Sequence, residues 1–109
     1  MKKIVYYTTI DDKCPYIEWR DSLSDIFQVR IAKRLNRICE GNFGDFKKLQ
    51  NSPLSELRFN FGSGYRVYFK EMDEIVVLIL AGSDKSDQKA VIKQANKYFE
   101  DYINRSNKK

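Results

Sequence analysis

Two arginines in the stretch SELRFNFGSGYRVYFK (Ser55 to Lys70) carry the strongest chemical signal in the chain. Arg58 and Arg66 lie in the middle of two short strand-like runs joined at Gly62-Ser63-Gly64, each with aromatic or apolar neighbours. Pairing Phe61 with Tyr65, Phe59 with Val67 and Leu57 with Phe69 makes one side of this ribbon wholly apolar. The other side then pairs Asn60 with Arg66, Arg58 with Tyr68 and Glu56 with Lys70, and a one-residue slip would mix the two faces. In this register Arg58 and Arg66 are diagonal neighbours on an exposed polar platform. Two guanidiniums this close repel each other unless an anion lies between them. Glu56 supplies one through a salt-bridge network; a phosphate supplies one through the paired planar donors of arginine. Tyr68 on the same platform adds a hydroxyl and a ring on which a base can stack.

The rest of the sequence limits the chemistry. There is no histidine among the 109 residues, which excludes a paired-histidine ribonuclease and any Ser-His or Cys-His triad. Asp11-Asp12 and Asp73-Glu74 are acidic pairs in turn-like segments with no third ligand at motif spacing, so no metal site is expected. The glycines at 62, 64 and 82 form no phosphate loop or dinucleotide motif. Cleavage of RNA by its own 2′-hydroxyl fits these limits, because its main need is cations around a developing dianionic phosphorane. Further basic residues are near to hand in the sequence. Lys47 and Lys48 precede the hairpin, Lys70 closes it, and Asp84 and Lys85 follow the next strand in GSDK.

The charge distribution agrees. The net charge is +5, and between Arg30 and Lys70 nine Lys/Arg stand against three acids. A basic centre suits an anionic partner, nucleic acid first, or else it is a solvated surface. Cys14 and Cys39 are too few for a disulfide framework or a metal cluster and read as reduced packing residues. The N-terminal IVYY is too short for the apolar region of a signal peptide, and no apolar run reaches membrane-spanning length, so a cytoplasmic location is expected.

These residues need elements to hold them. Lys3 to Thr9, rich in Val, Ile, Tyr and Thr, reads as a strand. Pro15 opens a short helix with Tyr16, Trp19 and Leu23 on one side. Ser24 or Asp25 caps a second helix that runs to about Glu40 and ends at Gly41. Phe27, Ile31, Leu35 and Ile38 form its apolar stripe, and Arg30, Lys33, Arg34 and Arg37 form a cationic stripe beside it. GNFGDFKK reads as a loop. Ile75 to Ala81 (IVVLILA) reads as an interior strand covered on both faces. Asp87 to about Asn104 is helical with Val91, Ala95, Tyr98 and Tyr102 on one side, and residues 103–109 are expected to fray. The expected fold is a single α+β domain over residues 1–109, in the order β-α-α-β-β-β-α. It has a small antiparallel sheet, an N-terminal helical pair and a C-terminal helix.

In order along the chain, IEWRDSL, RIAKRLNRICEGNFGD, KKL, SELRF, GSGYRVYF and LILAGSDKSDQ together resemble the RelE/HigB/ParE superfamily of toxins from type II toxin–antitoxin modules. The resemblance is to its phage-derived addiction module killer branch in particular and spans about residues 16–102. It implies a RelE-like fold and a metal-independent endoribonuclease that cleaves mRNA on the ribosome. It also implies silencing by a cognate antitoxin of the helix-turn-helix, DNA-binding kind, with no small-molecule cofactor and no membrane partner. By position, Arg66 takes the role of the phosphate-binding, transition-state arginine, and Arg58 is typical of the branch. Lys85 stands near the family's basic residue after the last strand. Lys47 or Lys48 corresponds to basic residues ahead of the hairpin. The expected catalytic set is Arg58, Arg66, Tyr68 and Lys85, with Lys47, Lys48, Asn60, Lys70 and Asp84 binding RNA. The chain departs from members that carry lysines where Glu56 stands, or catalytic histidines, or a tyrosine on the last helix near Val91. Two other readings stay open: a non-catalytic DNA gyrase inhibitor of ParE type, and an inactive remnant that only binds antitoxin.

Overall fold

The computed structural model describes residues 1–107, and its elements follow the order β1 (Lys3–Tyr6), α1 (Pro15–Asp21), α2 (Asp25–Cys39), β2 (Phe46–Lys48), β3 (Ser55–Arg58), β4 (Arg66–Glu71), β5 (Val76–Ser83) and α3 (Gln88–Ser106). The fold is α+β. Its single sheet has the strand order β1-β5-β4-β3-β2. The four later strands form an antiparallel meander, whereas β1 runs parallel to β5. The sheet is therefore mixed, not antiparallel throughout. The chain leaves β1, passes through both N-terminal helices to the far edge, and winds back until β5 meets β1.

Local signals account for the helices. Ser24 is the N-cap of α2, and Gly41 just beyond it has φ +90°, a conformation that favours glycine. Ile31, Leu35 and Ile38 of α2 join Tyr16 of α1 in a core against one sheet face, made by Leu57, Phe59, Val67, Phe69, Val77 and Ile79. The opposite face carries a second core, in which Tyr68, Leu78, Leu80 and Ala81 pack with Ala95, Val91, Tyr98 and Tyr102 of α3. Strand β5 is consequently buried on both faces, as its unbroken apolar run requires.

Four further expectations change. The segment read as a loop contains the edge strand β2, whose three residues are all exposed and so leave no alternating pattern to read. The hairpin pairs Leu57 with Val67, Glu56 with Tyr68 and Arg58 with Arg66, so it is two residues out from the expected register. The faces survive this shift because the side-chain period is two. It arises because Phe61 leaves the strand to stack on Phe27 of α2 (5.4 Å, 12°), while Tyr65 packs over Gly62. The polar face of the ribbon is also not an open platform, since α3 lies across it and buries Tyr68 and Glu56. At the C-terminus, residues expected to fray are helical as far as Ser106. There Arg105 pairs with Asp101 (2.9 Å) and donates to the Thr8 carbonyl, and residues 108–109 lie outside the described residues. Among the described residues no helix is long and apolar enough to cross a membrane.

Candidate functional site

The end of the sheet where β3 and β5 stop and β4 begins brings much of the predicted chemistry together. Arg58, Arg66 and Ser83 share one rung across the three strands, and Lys47, Glu56, Tyr68 and Ala81 share the next rung but one across β2 to β5. Side chains two residues apart on a strand project to the same face, so both arginines lie on the α3 side of the sheet. They are directly opposite each other, closer than the diagonal placement expected.

Each guanidinium is held differently. Arg66 turns back toward the hairpin tip, where Nη1 donates to the carbonyls of Gly64 (3.1 Å) and Tyr65 (3.0 Å). Its Nε is buried and has no hydrogen-bond acceptor among the described residues. A buried donor left this way costs about 1–3 kcal/mol. Arg58 donates from Nε to Glu56 Oε1 at 3.3 Å, with Arg58 half-exposed and the Glu56 side chain only 4% exposed. The other carboxylate oxygen, Oε2, accepts from Nε2 of Gln88 at 3.0 Å. Glu56 and Arg58 thus form the salt bridge anticipated as an alternative, and Arg66 stays outside it.

Lys85 joins from the β5–α3 turn. Its backbone N–H donates to the Ser63 carbonyl at 3.1 Å, which pins the turn to the hairpin tip. Gly64 lies between them with φ +71°; a Cβ there would stand 3.3 Å from Lys85 Cβ and 3.9 Å from Arg66 Nη1. Asp84 has a different part. Its carboxylate accepts from the Ser86 hydroxyl (2.6 Å), the Ser86 N–H (2.8 Å) and the Asp87 N–H (3.3 Å). The Ser86 hydroxyl bond, followed by these backbone bonds, holds its pKa below the ordinary carboxylate value. Asp84 therefore builds the turn that carries Lys85.

Tyr68 departs furthest from expectation. It is fully buried under α3 and shares a 2.8 Å hydrogen bond with the Ser83 hydroxyl. Burial pushes its pKa up to about 12. A sealed phenol presents no ring face to a nucleobase, and with its pKa raised it stays protonated near neutrality and cannot act as a general base. Tyr68→Phe is expected to leave any cleavage activity within about twofold. Stripping Ser83 of its partner should cost about 1–3 kcal/mol, and a thermal melt should fall by roughly 4–8 °C per kcal/mol. Loss of activity with an unchanged melt would restore Tyr68 to the catalytic set.

The remaining expected RNA contacts scatter. Lys47 is exposed on edge strand β2 opposite Glu56. Asn60 is exposed in the hairpin tip and pairs with no strand residue. Lys48 and Lys70 line a cavity of about 580 Å³ with Lys2, Glu71 and Asp73. Lys70 is four residues along β4 from Arg66, about 13 Å at strand rise, so these two lysines flank the far end of the sheet. The cationic stripe of α2 is partly structural. Arg34 donates to the carbonyls of Arg58 (2.7 Å), Asp45 (2.7 Å) and Phe43 (3.2 Å), and its guanidinium lies over the Phe59 ring. Burial lowers its pKa, which the Asp45 carboxylate offsets in part. Arg34 clamps the GNFGD segment and the start of β2 onto α2. Arg30 sits over the Phe61 ring at 5.1 Å.

Sequence reasoning missed Gln88, Ser83 and the clamp role of Arg34. Gln88 had one usable signal: it is the first residue of a helix that begins directly after the turn carrying Lys85.

No profile of a known protein family matches the chain. An uncharacterized protein of Haemophilus influenzae is 42% identical to it over 78 residues, which cover 71% of this chain and 78% of that protein. Identity at that level over most of both chains requires a common fold and core, and this chain belongs to the same family as that Haemophilus influenzae protein.

Proposed function

We propose that the chain is the toxin of a type II toxin–antitoxin module, of RelE/HigB/ParE kind, and cleaves mRNA on the ribosome without a metal. Under this reading it works in the cytoplasm and is held inactive by a cognate helix-turn-helix antitoxin. The observation that carries the proposal is Arg66: a guanidinium at the sheet end, directly opposite a second arginine, beside Lys85. The buried Nε is out of an anion's reach, but Nη2 makes no hydrogen bond among the described residues and is the nitrogen on which an anion docks. A phosphate does so with the planar geometry arginine favours.

In the reaction, the 2′-oxygen of the RNA attacks phosphorus and the bond to the 5′-oxygen of the next nucleotide breaks. The products are a 2′,3′-cyclic phosphate and a 5′-hydroxyl. Two negative charges build on the nonbridging oxygens on the way. Arg66 and Arg58 donate to these oxygens, and Lys85 adds a third cation. Water takes the 2′-hydroxyl proton and supplies one to the departing 5′-oxygen; Tyr68 takes no part in either transfer, given its burial.

The test is induced expression followed by mapping of mRNA 5′ ends, together with an assay for gyrase-linked DNA breaks. Expected are new 5′-hydroxyl ends within translated messages and no excess DNA breaks. Weak cleavage of free RNA by the purified protein should persist in excess chelator. Strict dependence on an added divalent ion would overturn the metal-free step. DNA breaks without new RNA ends would transfer the protein to the gyrase-inhibitor reading.

A further inference from the structure

We infer that Gln88 is a positioning residue that aims Arg58 through Glu56, an inference resting on the reading that the Arg58–Arg66 pair binds a phosphate. Glu56 is almost completely buried, yet it carries a charge that must be compensated. Arg58 Nε satisfies one carboxylate oxygen at 3.3 Å, and Gln88 Nε2 satisfies the other at 3.0 Å. Without Gln88, Oε2 has no donor, and the carboxylate gains by turning toward solvent or toward another cation. Either movement releases Arg58.

The turn before α3 holds Gln88 in place for this task. Asp84 accepts three hydrogen bonds from Ser86 and Asp87, Asp87 Oδ1 accepts from the Asp84 N–H at 3.0 Å, and Lys85 N–H bonds Ser63 at 3.1 Å. The first residue of α3 is thereby fixed against β3. The positive end of the helix also favours the Glu56 carboxylate close to it. Within this arrangement Arg58 is tied by Nε alone, and its two terminal nitrogens make no hydrogen bond among the described residues. Those are the nitrogens that offer paired donors to a phosphate. One carboxylate thus orients Arg58 without occupying the donors that face an anion, and it damps the repulsion between two arginines on one rung.

The test uses a short single-stranded RNA made uncleavable by 2′-O-methyl groups, with binding followed by fluorescence anisotropy. Gln88→Met keeps the side-chain shape and removes the donor. It should weaken binding about tenfold, the low end for a hydrogen bond to a charged group. In an Arg58→Ala background the same substitution should change binding by less than about twofold, since its only route to the RNA is gone. The ¹⁵N-edited Arg58 Nε–H signal should be protected in the wild type and lost in Gln88→Met. Gln88→Ala should reproduce both effects if Gln88→Met disturbs folding. Equal losses in both backgrounds, or unchanged RNA binding with a lost Nε–H signal, would overturn the positioning role. Arg66→Ala serves as the control for the underlying reading. If it binds the RNA like wild type, the phosphate site itself is wrong and the role of Gln88 falls with it. If Arg66→Ala loses binding and Gln88→Met does not, only the positioning role fails.

Discussion

Arg66→Ala is expected to lower mRNA cleavage about 100- to 1,000-fold, the effect of removing one donor that stabilises developing charge. Growth arrest on induction should disappear with it. The fold should survive. Arg66 contributes two hydrogen bonds, to the carbonyls of Gly64 and Tyr65, and both residues are half-buried and not sealed from water. A net loss of about 1 kcal/mol is expected, or roughly 4–8 °C in a thermal melt. Removing a buried Nε that has no acceptor works in the opposite direction. Arg66→Lys should recover only part of the activity, because an ammonium lacks the paired planar donors of a guanidinium. Arg58→Ala should weaken cleavage as well. A folded, well-expressed Arg66→Ala protein that still arrests growth would remove Arg66 from the chemistry. An Arg66→Ala protein that does not fold would make the side chain a structural tie of the hairpin.

Gly82→Val is expected to have the largest effect on stability. Gly82 lies in β5 opposite Val67, and a Cβ built on it clashes with Cε3, Cδ2 and Cζ3 of the Trp19 ring. Here glycine is required for space, as the indole lies against the bare backbone. Trp19 has little room to retreat. It packs on Tyr16 (6.0 Å between centroids, 44°) and meets the edge of Tyr65 (5.8 Å, 84°), so displacing it opens both α1 and the hairpin tip. Trp19 is partly buried, and forcing a side chain against it is overpacking, which costs about 1–3 kcal/mol and in tight sites more, from a total that for small domains is about 5–15 kcal/mol. The melting temperature should fall by roughly 4–8 °C for each kcal/mol lost, or the protein should fail to accumulate. A melt within a few degrees of wild type would show that Trp19 is free to leave β5.

Local pattern alone determined several features. Helix α2 ends before Gly41 because a left-handed C-terminal residue is a local requirement, and it starts at Ser24, whose extended backbone, without a side-chain capping bond, turns the chain into the helix. Strand β5 is interior because only a doubly covered strand tolerates an unbroken apolar run. The two faces of the hairpin are divided as alternation demands, and that division put Arg58, Arg66, Glu56 and Tyr68 on the same side. Strand β2 was illegible for a matching reason: three exposed residues whose contribution is backbone pairing at an edge leave no side-chain signature.

Only the tertiary structure decided how far the hairpin slides and what covers each face. The turn glycines permit more than one loop length. The choice fell to Phe61 stacking on Phe27, a contact across 34 positions of sequence that no local pattern encodes. The same holds for the polar face. Periodicity states that Val91, Ala95, Tyr98 and Tyr102 share one side of α3, but not which surface they seek. They settle on the face that carries Tyr68, Leu78 and Leu80, which turns an expected platform tyrosine into core and leaves the arginines at its margin. Side-chain alternation records which residues travel together. Which element buries them depends on free energy summed over the whole sheet, and that sum exists only once the chain has folded.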